Sequence, residues 1–128
     1  GAWGMRCGEI LTCVRENIPV TAVVFHNKQW GAEKKNQVDF YNCRFEGVNL
    51  ENPSWAEVAR SLGAEGVTVS NLGDVGEALD KAIDAQMKHG KTTVIEMMVT
   101  QELGDPFRRD ALKKPRRLLE KYKHTNVD

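Results

Sequence analysis

This sequence predicts an α/β fold with a mainly parallel sheet, and three observations carry that reading. Helix-like and strand-like stretches alternate along the chain, Val20-Thr21-Ala22-Val23-Val24-Phe25 is an unbroken apolar-rich run, and glycine or proline stops the helical stretches. An apolar run without alternation marks a strand buried on both faces, as in a parallel sheet. The order helix, strand, helix, strand, helix, strand implies right-handed crossovers that lay helices on the faces of that sheet.

From Met5 to about Glu16, Ile10, Cys13 and Val14 recur at helical spacing beside Leu11. Asn17-Ile18-Pro19 stops this helix, because the residue before a proline is pushed out of the α region. The apolar strand follows. Asn52-Pro53-Ser54 opens a second helix, with Pro53 suited to a first turn and Ser54 paired with Glu57 as a capping box one step later. Trp55, Val58, Ala59 and Leu62 form its inner face and Gly63 closes it. Val67-Thr68-Val69 is a short strand. Asp74 and Glu77 resemble a box opening a third helix, which is expected to bury Val75, Leu79, Ala82, Ile83 and Met87 before Gly90 ends it. Thr92 to Val99 is the last strand.

The connection between Phe25 and Asn52 is long and polar, and loops of that length inside compact domains usually carry function. A short helix around Ala32 to Gln37 is expected within it. The domain is expected to span residues 1–104, with a basic tail over residues 105–128.

Composition narrows the functional classes. At 128 residues the chain accommodates one modest domain. Lys+Arg and Asp+Glu both total 18, so no global field favours nucleic acid or an anionic membrane. The tail from Pro106 to Tyr122 interleaves Asp110 and Glu120 with its basic residues and lacks stacking aromatics, which argues against a nucleic-acid arm. The apolar runs are strand-sized, well short of a membrane span. No signal-peptide pattern opens the chain, and its abrupt start without Met suggests a fragment. Cys7, Cys13 and Cys43 are odd in number and lack C-x-x-C spacing, so they read as reduced thiols of a cytoplasmic protein. His26, His89 and His124 form no recognisable ligand set.

The chemistry concentrates at the opening, Gly1-Ala2-Trp3-Gly4-Met5, and at Asn27-Lys28-Gln29-Trp30-Gly31 after the apolar strand. A glycine-rich turn brings backbone N–H groups close to phosphate oxygens, and the following helix turns its positive end toward them. A strand-end Asn offers a neutral carbonyl to a hard cation such as Mg²⁺. Open α/β sheets bind ligands beyond the carboxyl ends of their strands, where Asn27 is expected. Asn27 has a rival reading as a turn residue in the left-handed conformation. Trp30 reads either as a wall along a diphosphate or as a core anchor. Glu9 either bonds backbone near the site or faces solvent, and Glu96 is expected to face an edge of the sheet.

Gly1-Ala2-Trp3-Gly4-Met5, Glu9, Pro19, the apolar strand and Asn27 together resemble the cofactor motif of thiamine-diphosphate enzymes, which begins Gly-Asp-Gly and ends in Asn. Gly1 matches the second glycine, and His26-Asn27 stands where many relatives have Asn-Asn. Asn27-Lys28-Gln29-Trp30-Gly31-Ala32-Glu33-Lys34-Lys35-Asn36-Gln37 and Thr100-Gln101-Glu102-Leu103-Gly104-Asp105-Pro106-Phe107-Arg108-Arg109-Asp110-Ala111-Leu112-Lys113-Lys114-Pro115 are similar, more narrowly, to the carboxyl end of the sulfoacetaldehyde acetyltransferase family.

The resemblance implies a three-layer αβα thiamine-diphosphate-binding fold, truncated on its N-terminal side. It also implies thiamine diphosphate and Mg²⁺ as cofactors, with the metal held by the Asn27 side chain and the backbone carbonyl of Gln29. Gly1, Ala2, Asn27, Trp30 and Gly31 would then line the diphosphate. The implied reaction takes sulfoacetaldehyde and phosphate to acetyl phosphate and sulfite in taurine and sulfonate catabolism, in a cytoplasmic homo-oligomer (dimer or tetramer) of a longer polypeptide. The family's activating Glu has no match here, so no catalytic residue is assigned. Lys34, Lys35, Arg108 and Arg109 read either as contacts for the anionic substrates or as a solvated basic surface balanced by Glu33, Asp105 and Asp110. An acetolactate-synthase-like carboligase and a non-catalytic α/β assembly module are the alternatives.

Overall fold

The computed structural model describes residues 1–104 and 116–126, and its contacts divide it into two units. Gly1–Lys28 and Glu51–Thr100 form the first; Gln29–Leu50 and the described part of Gln101–Asp128 form the second.

The first unit is built on three parallel strands, β1 (Thr21–His26), β2 (Glu65–Val69) and β3 (Thr93–Met98), in the order β1-β3-β2. Its helices are α1 (Glu9–Arg15), α3 (Trp55–Ser61) and α4 (Val75–His89). One face of the sheet packs Val24 and Val94 against Ile10 of α1 and Trp55 and Ala59 of α3, while the other packs Val69, Ile95 and Met97 against Ala78 and Ala82 of α4. The unit is therefore a three-layer αβα sandwich with a parallel sheet, as the sequence predicts.

Element boundaries follow local chemistry. A 3-10 turn at Trp3–Met5 precedes α1, which stops at Arg15 ahead of Asn17, whose φ is 55°. Helix α3 starts at Trp55 because the Ser54 hydroxyl accepts the Glu57 N–H at 3.3 Å, and the chain leaves it through Gly63 at φ 88°. Gly66 on β2 has a different reason to be glycine: a Cβ there would lie far inside contact distance of the Ala56 carbonyl.

Four expectations are corrected. Strand β1 is not covered on both faces, since Val23 and Phe25 are exposed; α4 reaches only its start, where the Thr21 hydroxyl donates to Gln86 Oε1 at 2.8 Å. Asp74 makes no side-chain cap on α4, because a 3-10 turn at Leu72–Asp74 precedes the helix and the Asp74 carboxylate accepts from Asn71 Nδ2 instead. Ile83 and Met87 are exposed, because the covered stripe of α4 runs through Val75, Ala78, Leu79 and Ala82 and they sit to one side of it. Glu96 does not face an edge: it is 1% exposed on β3, the middle strand.

The second unit contains α2 (Gly31–Phe40), three residues longer at its end than the helix expected inside the long connection. Its buried residues include Gln29 and Val48, and no residue of α2 is buried. Gln29 pairs with Asn49 in an antiparallel bridge, and the Trp30 N–H donates to the Val48 carbonyl at 2.8 Å. Lys34 Nζ donates to Gln29 Oε1 at 3.1 Å and to Asn49 Oδ1 at 2.9 Å, lying over the Phe45 ring. The Gln37 side chain both accepts from the Glu46 N–H and donates to its carbonyl.

Candidate functional site

At the carboxyl end of β1 lies a cleft of about 410 Å³, within the range of small-ligand sites, whose lining includes Gly1, Ala2, Arg6, His26, Asn27 and Asn52. Parallel-strand order explains its place. The β1 end delivers His26 and Asn27, and the turn before α1 brings the first residues of the chain beside them. Among the described residues, Arg6 and Lys28 line the cleft as cations and no carboxylate does. With the glycine turn and two side-chain amides, this donor set suits a phosphate-bearing ligand, whose oxygens need N–H groups and positive charge around them. A larger cleft of about 630 Å³ in the same unit is lined by Phe25, Val69, Leu72, Val75, Met97 and Val99 among others, with no charged side chain among the described residues, and does not suit one.

The structure thus gathers Gly1, Ala2 and Asn27 around one cleft. Asn27 does not adopt the left-handed conformation of its rival reading; that role falls to Lys28, at φ 56°. A lysine held there is uncommon and carries strain of the order of 1 kcal/mol, and it redirects the chain directly after Asn27. Gln29, Trp30 and Gly31 belong to the second unit. Gly31 is the first residue of α2, a position whose N–H has no partner within the helix. Trp30 is half-buried and lines a separate cleft of about 310 Å³ with Val48 and Glu33. Lys34 is engaged by Gln29 and Asn49 and Lys35 by Asp39, while Arg108, Arg109 and Asp110 lie outside the described residues. Among the described residues no three His, Cys, Asp or Glu side chains cluster so as to hold a metal ion. None of the described helices is long and apolar enough to cross a membrane.

Two residues whose pairing the sequence does not signal, Glu96 and His26, meet beneath the cleft. Glu96 stands opposite Val24 on one side and Thr68 on the other. Its carboxylate accepts from the Trp55 N–H at 3.0 Å, the Ala56 N–H at 3.2 Å, the Ser54 hydroxyl at 2.8 Å and the Thr68 hydroxyl at 3.1 Å. It also binds His26 Nδ1 at 2.6 Å. Burial pushes the carboxyl up, but the bonds from Trp55, Ser54, His26 and Ala56 outweigh it and hold the group down to about 2. It is a buried anion at the amino end of α3, tying that helix to all three strands.

His26 is 5% exposed and its ring lies 6.2 Å from that of Trp55. With Nδ1 committed to an ionised carboxylate, the ring orientation is fixed. Its Nε2 is buried without a hydrogen-bond partner, and so is Trp3 Nε1. A His read alone at a strand end carries no sequence signal of this pairing, because its partner lies 70 positions away.

Comparison with known proteins agrees with this geometry. The family model of the thiamine pyrophosphate enzyme C-terminal TPP binding domain matches residues 1–97. The chain is 72% identical over 123 residues to the sulfoacetaldehyde acetyltransferase of Castellaniella defragrans, covering 96% of this chain and 21% of the relative. It is 68% identical to that of Alcaligenes xylosoxydans xylosoxydans over 96% of this chain and 20% of the relative. Against the acetolactate synthase large subunit IlvG of Mycobacterium tuberculosis the identity is 29% over 84% of this chain and 19% of the relative. The chain therefore spans about a fifth of the length of the curated relatives it matches. It belongs to the thiamine pyrophosphate enzymes, in the family of their C-terminal TPP-binding domain.

Proposed function

We propose that this chain is the diphosphate-binding part of a thiamine-diphosphate- and Mg²⁺-dependent acetyltransferase that converts sulfoacetaldehyde and phosphate to acetyl phosphate and sulfite. The observation that carries the reading is the cleft that gathers Gly1, Ala2 and Asn27 with the cations Arg6 and Lys28, in a chain 72% identical to a sulfoacetaldehyde acetyltransferase. In this reading the Gly1-Ala2 backbone donates to phosphate oxygens, and Arg6 and Lys28 offset their charge. The Asn27 amide oxygen and the Gln29 carbonyl oxygen are two of the roughly six oxygens that Mg²⁺ requires. Trp30 and the Gly31 N–H complete the wall along the diphosphate. When bound, the cofactor supplies the carbanion chemistry at the aldehyde carbon; the protein supplies binding, orientation and charge. Residues 1–104 form the cofactor domain and residues 105–128 a tail. The enzyme works as a cytoplasmic homo-oligomer, with the remaining domains of a longer polypeptide supplying the acid that activates the cofactor.

The test is an assay of the full-length protein for sulfite release from sulfoacetaldehyde. Release that depends on phosphate, thiamine diphosphate and Mg²⁺ supports the reading. Formation of acetolactate from pyruvate without sulfite release would replace it with the carboligase that the 29% identical relatives are named for.

A further inference from the structure

Among the described residues, two side-chain amides line the cleft that holds Gly1 and Ala2: Asn27 just past β1, and Asn52 on the segment that leads into α3. One buried group anchors both segments. His26, the neighbour of Asn27, meets Glu96 Oε1 at 2.6 Å through Nδ1. Ser54, two residues after Asn52, donates its hydroxyl to Glu96 Oε2 at 2.8 Å, and the Trp55 and Ala56 N–H groups bond the same carboxylate at 3.0 and 3.2 Å. Between Asn52 and that anchor the chain has little freedom. The Pro53 ring locks its own φ and confines the residue before it to extended conformations. Ser54 is itself extended, at φ −66° and ψ 121°, as the residue that caps α3. The Asn52 amide therefore stands on a short, stiff arm. It is half-buried, and among the described residues its side chain makes no hydrogen bond. An amide can donate from nitrogen and accept at oxygen. Beside the cations Arg6 and Lys28 the cleft suits an anion, and an anion calls on the donor end.

We infer that Asn52 is a further ligand contact of this site, donating from its side-chain amide nitrogen to a phosphate oxygen of the cofactor's diphosphate. The inference rests on the functional reading above. The two amides then divide the work by atom. Asn27 presents oxygen to the metal, Asn52 presents N–H to the phosphate, and Glu96 on the middle strand sets the spacing between the segments that carry them.

The test titrates two probes, thiamine diphosphate and inorganic pyrophosphate, each with saturating Mg²⁺, into the full-length protein and its Asn52→Ala and Asn52→Asp variants. Asn52→Ala is expected to weaken both probes by about tenfold, the scale of one hydrogen bond to a charged acceptor, while the thermal midpoint of the ligand-free protein stays that of wild type. Asn52→Asp keeps the side chain's size but sets a carboxylate against the phosphates, so its loss is expected to be larger. Wild-type affinity in Asn52→Ala overturns the contact. Tighter binding by Asn52→Asp than by Asn52→Ala overturns the donor role, because a carboxylate improves a metal ligand and repels a phosphate. If Asn52→Ala lowers the ligand-free midpoint, Asn52→Asp decides: weakened binding supports the contact, and wild-type affinity overturns it. If wild type binds pyrophosphate but not thiamine diphosphate, the functional reading falls and the pyrophosphate series still decides the role of Asn52. Binding of neither probe overturns both.

Discussion

Glu96→Gln changes one oxygen for an amide nitrogen in the middle of the sheet and leaves the side chain's shape almost intact. The carboxylate accepts from two backbone N–H groups, two hydroxyls and His26; burial pushes its pKa up, but the bonds from Trp55, Ser54, His26 and Ala56 outweigh it and hold the folded value at about 2 against an ordinary 4.5. That gap corresponds to roughly 3 kcal/mol of stability at neutral pH, at about 1.4 kcal/mol per pH unit. Glutamine loses the charge and turns two of its own N–H donors toward groups that are themselves donors, so the cost is expected to be at least of that order. The damage should centre on the amino end of α3, whose Trp55 and Ala56 N–H groups lose their acceptor. Hydrogen exchange read by mass spectrometry on the peptide covering Trp55–Ser61, in the full-length protein at neutral pH, should show protection falling by about a hundredfold. Because the folded pKa is depressed, the wild-type advantage is present above about pH 4.5 and is lost as the pH falls toward about 2; the variant should lack that acid dependence. Unchanged protection in the variant would refute the claim that this anion holds the helix in place.

Gly66→Ala should lower the thermal midpoint by an amount corresponding to about 2–3 kcal/mol, since the new methyl overlaps the Ala56 carbonyl and β2 must move off α3; an unchanged midpoint would contradict that packing. Arg108→Ala or Arg109→Ala in the full-length enzyme should raise the phosphate concentration needed for half-maximal sulfite release by about tenfold, the scale of one charge-assisted hydrogen bond, and unaltered phosphate saturation would leave these residues as solvated surface.

Much of the fold was legible because it is written locally. Ser54 caps, Asn17-Ile18-Pro19 stops and Gly63 and Gly90 turn the chain wherever those residues occur, so helix ends could be read in order. Helix α2 was read only in part, since its polar residues carry no amphipathic stripe and none is buried. Strand order is different: nothing in the order of the segments says that the last strand lies between the other two. That missing fact turned Glu96 from an apparent edge residue into the centre of the sheet, and it concealed His26 with it. At the site, Gly1, Ala2 and Asn27 announced themselves through turn and strand-end chemistry. The cations Arg6 and Lys28 gave no such signal, because a basic residue in a helix or loop reads as surface until the cleft beside it is known.

The central claim is that Asn27 holds a divalent metal on the cofactor's diphosphate beside the Gly1-Ala2 turn. Calorimetric titration of thiamine diphosphate into the full-length protein, with and without Mg²⁺, in wild type and Asn27→Ala, tests it most directly. The account predicts saturable, Mg²⁺-dependent binding in wild type and a loss of about tenfold or more in the variant, on the scale of a ligand removed from a metal site. Equal, Mg²⁺-dependent affinity in both proteins would contradict it.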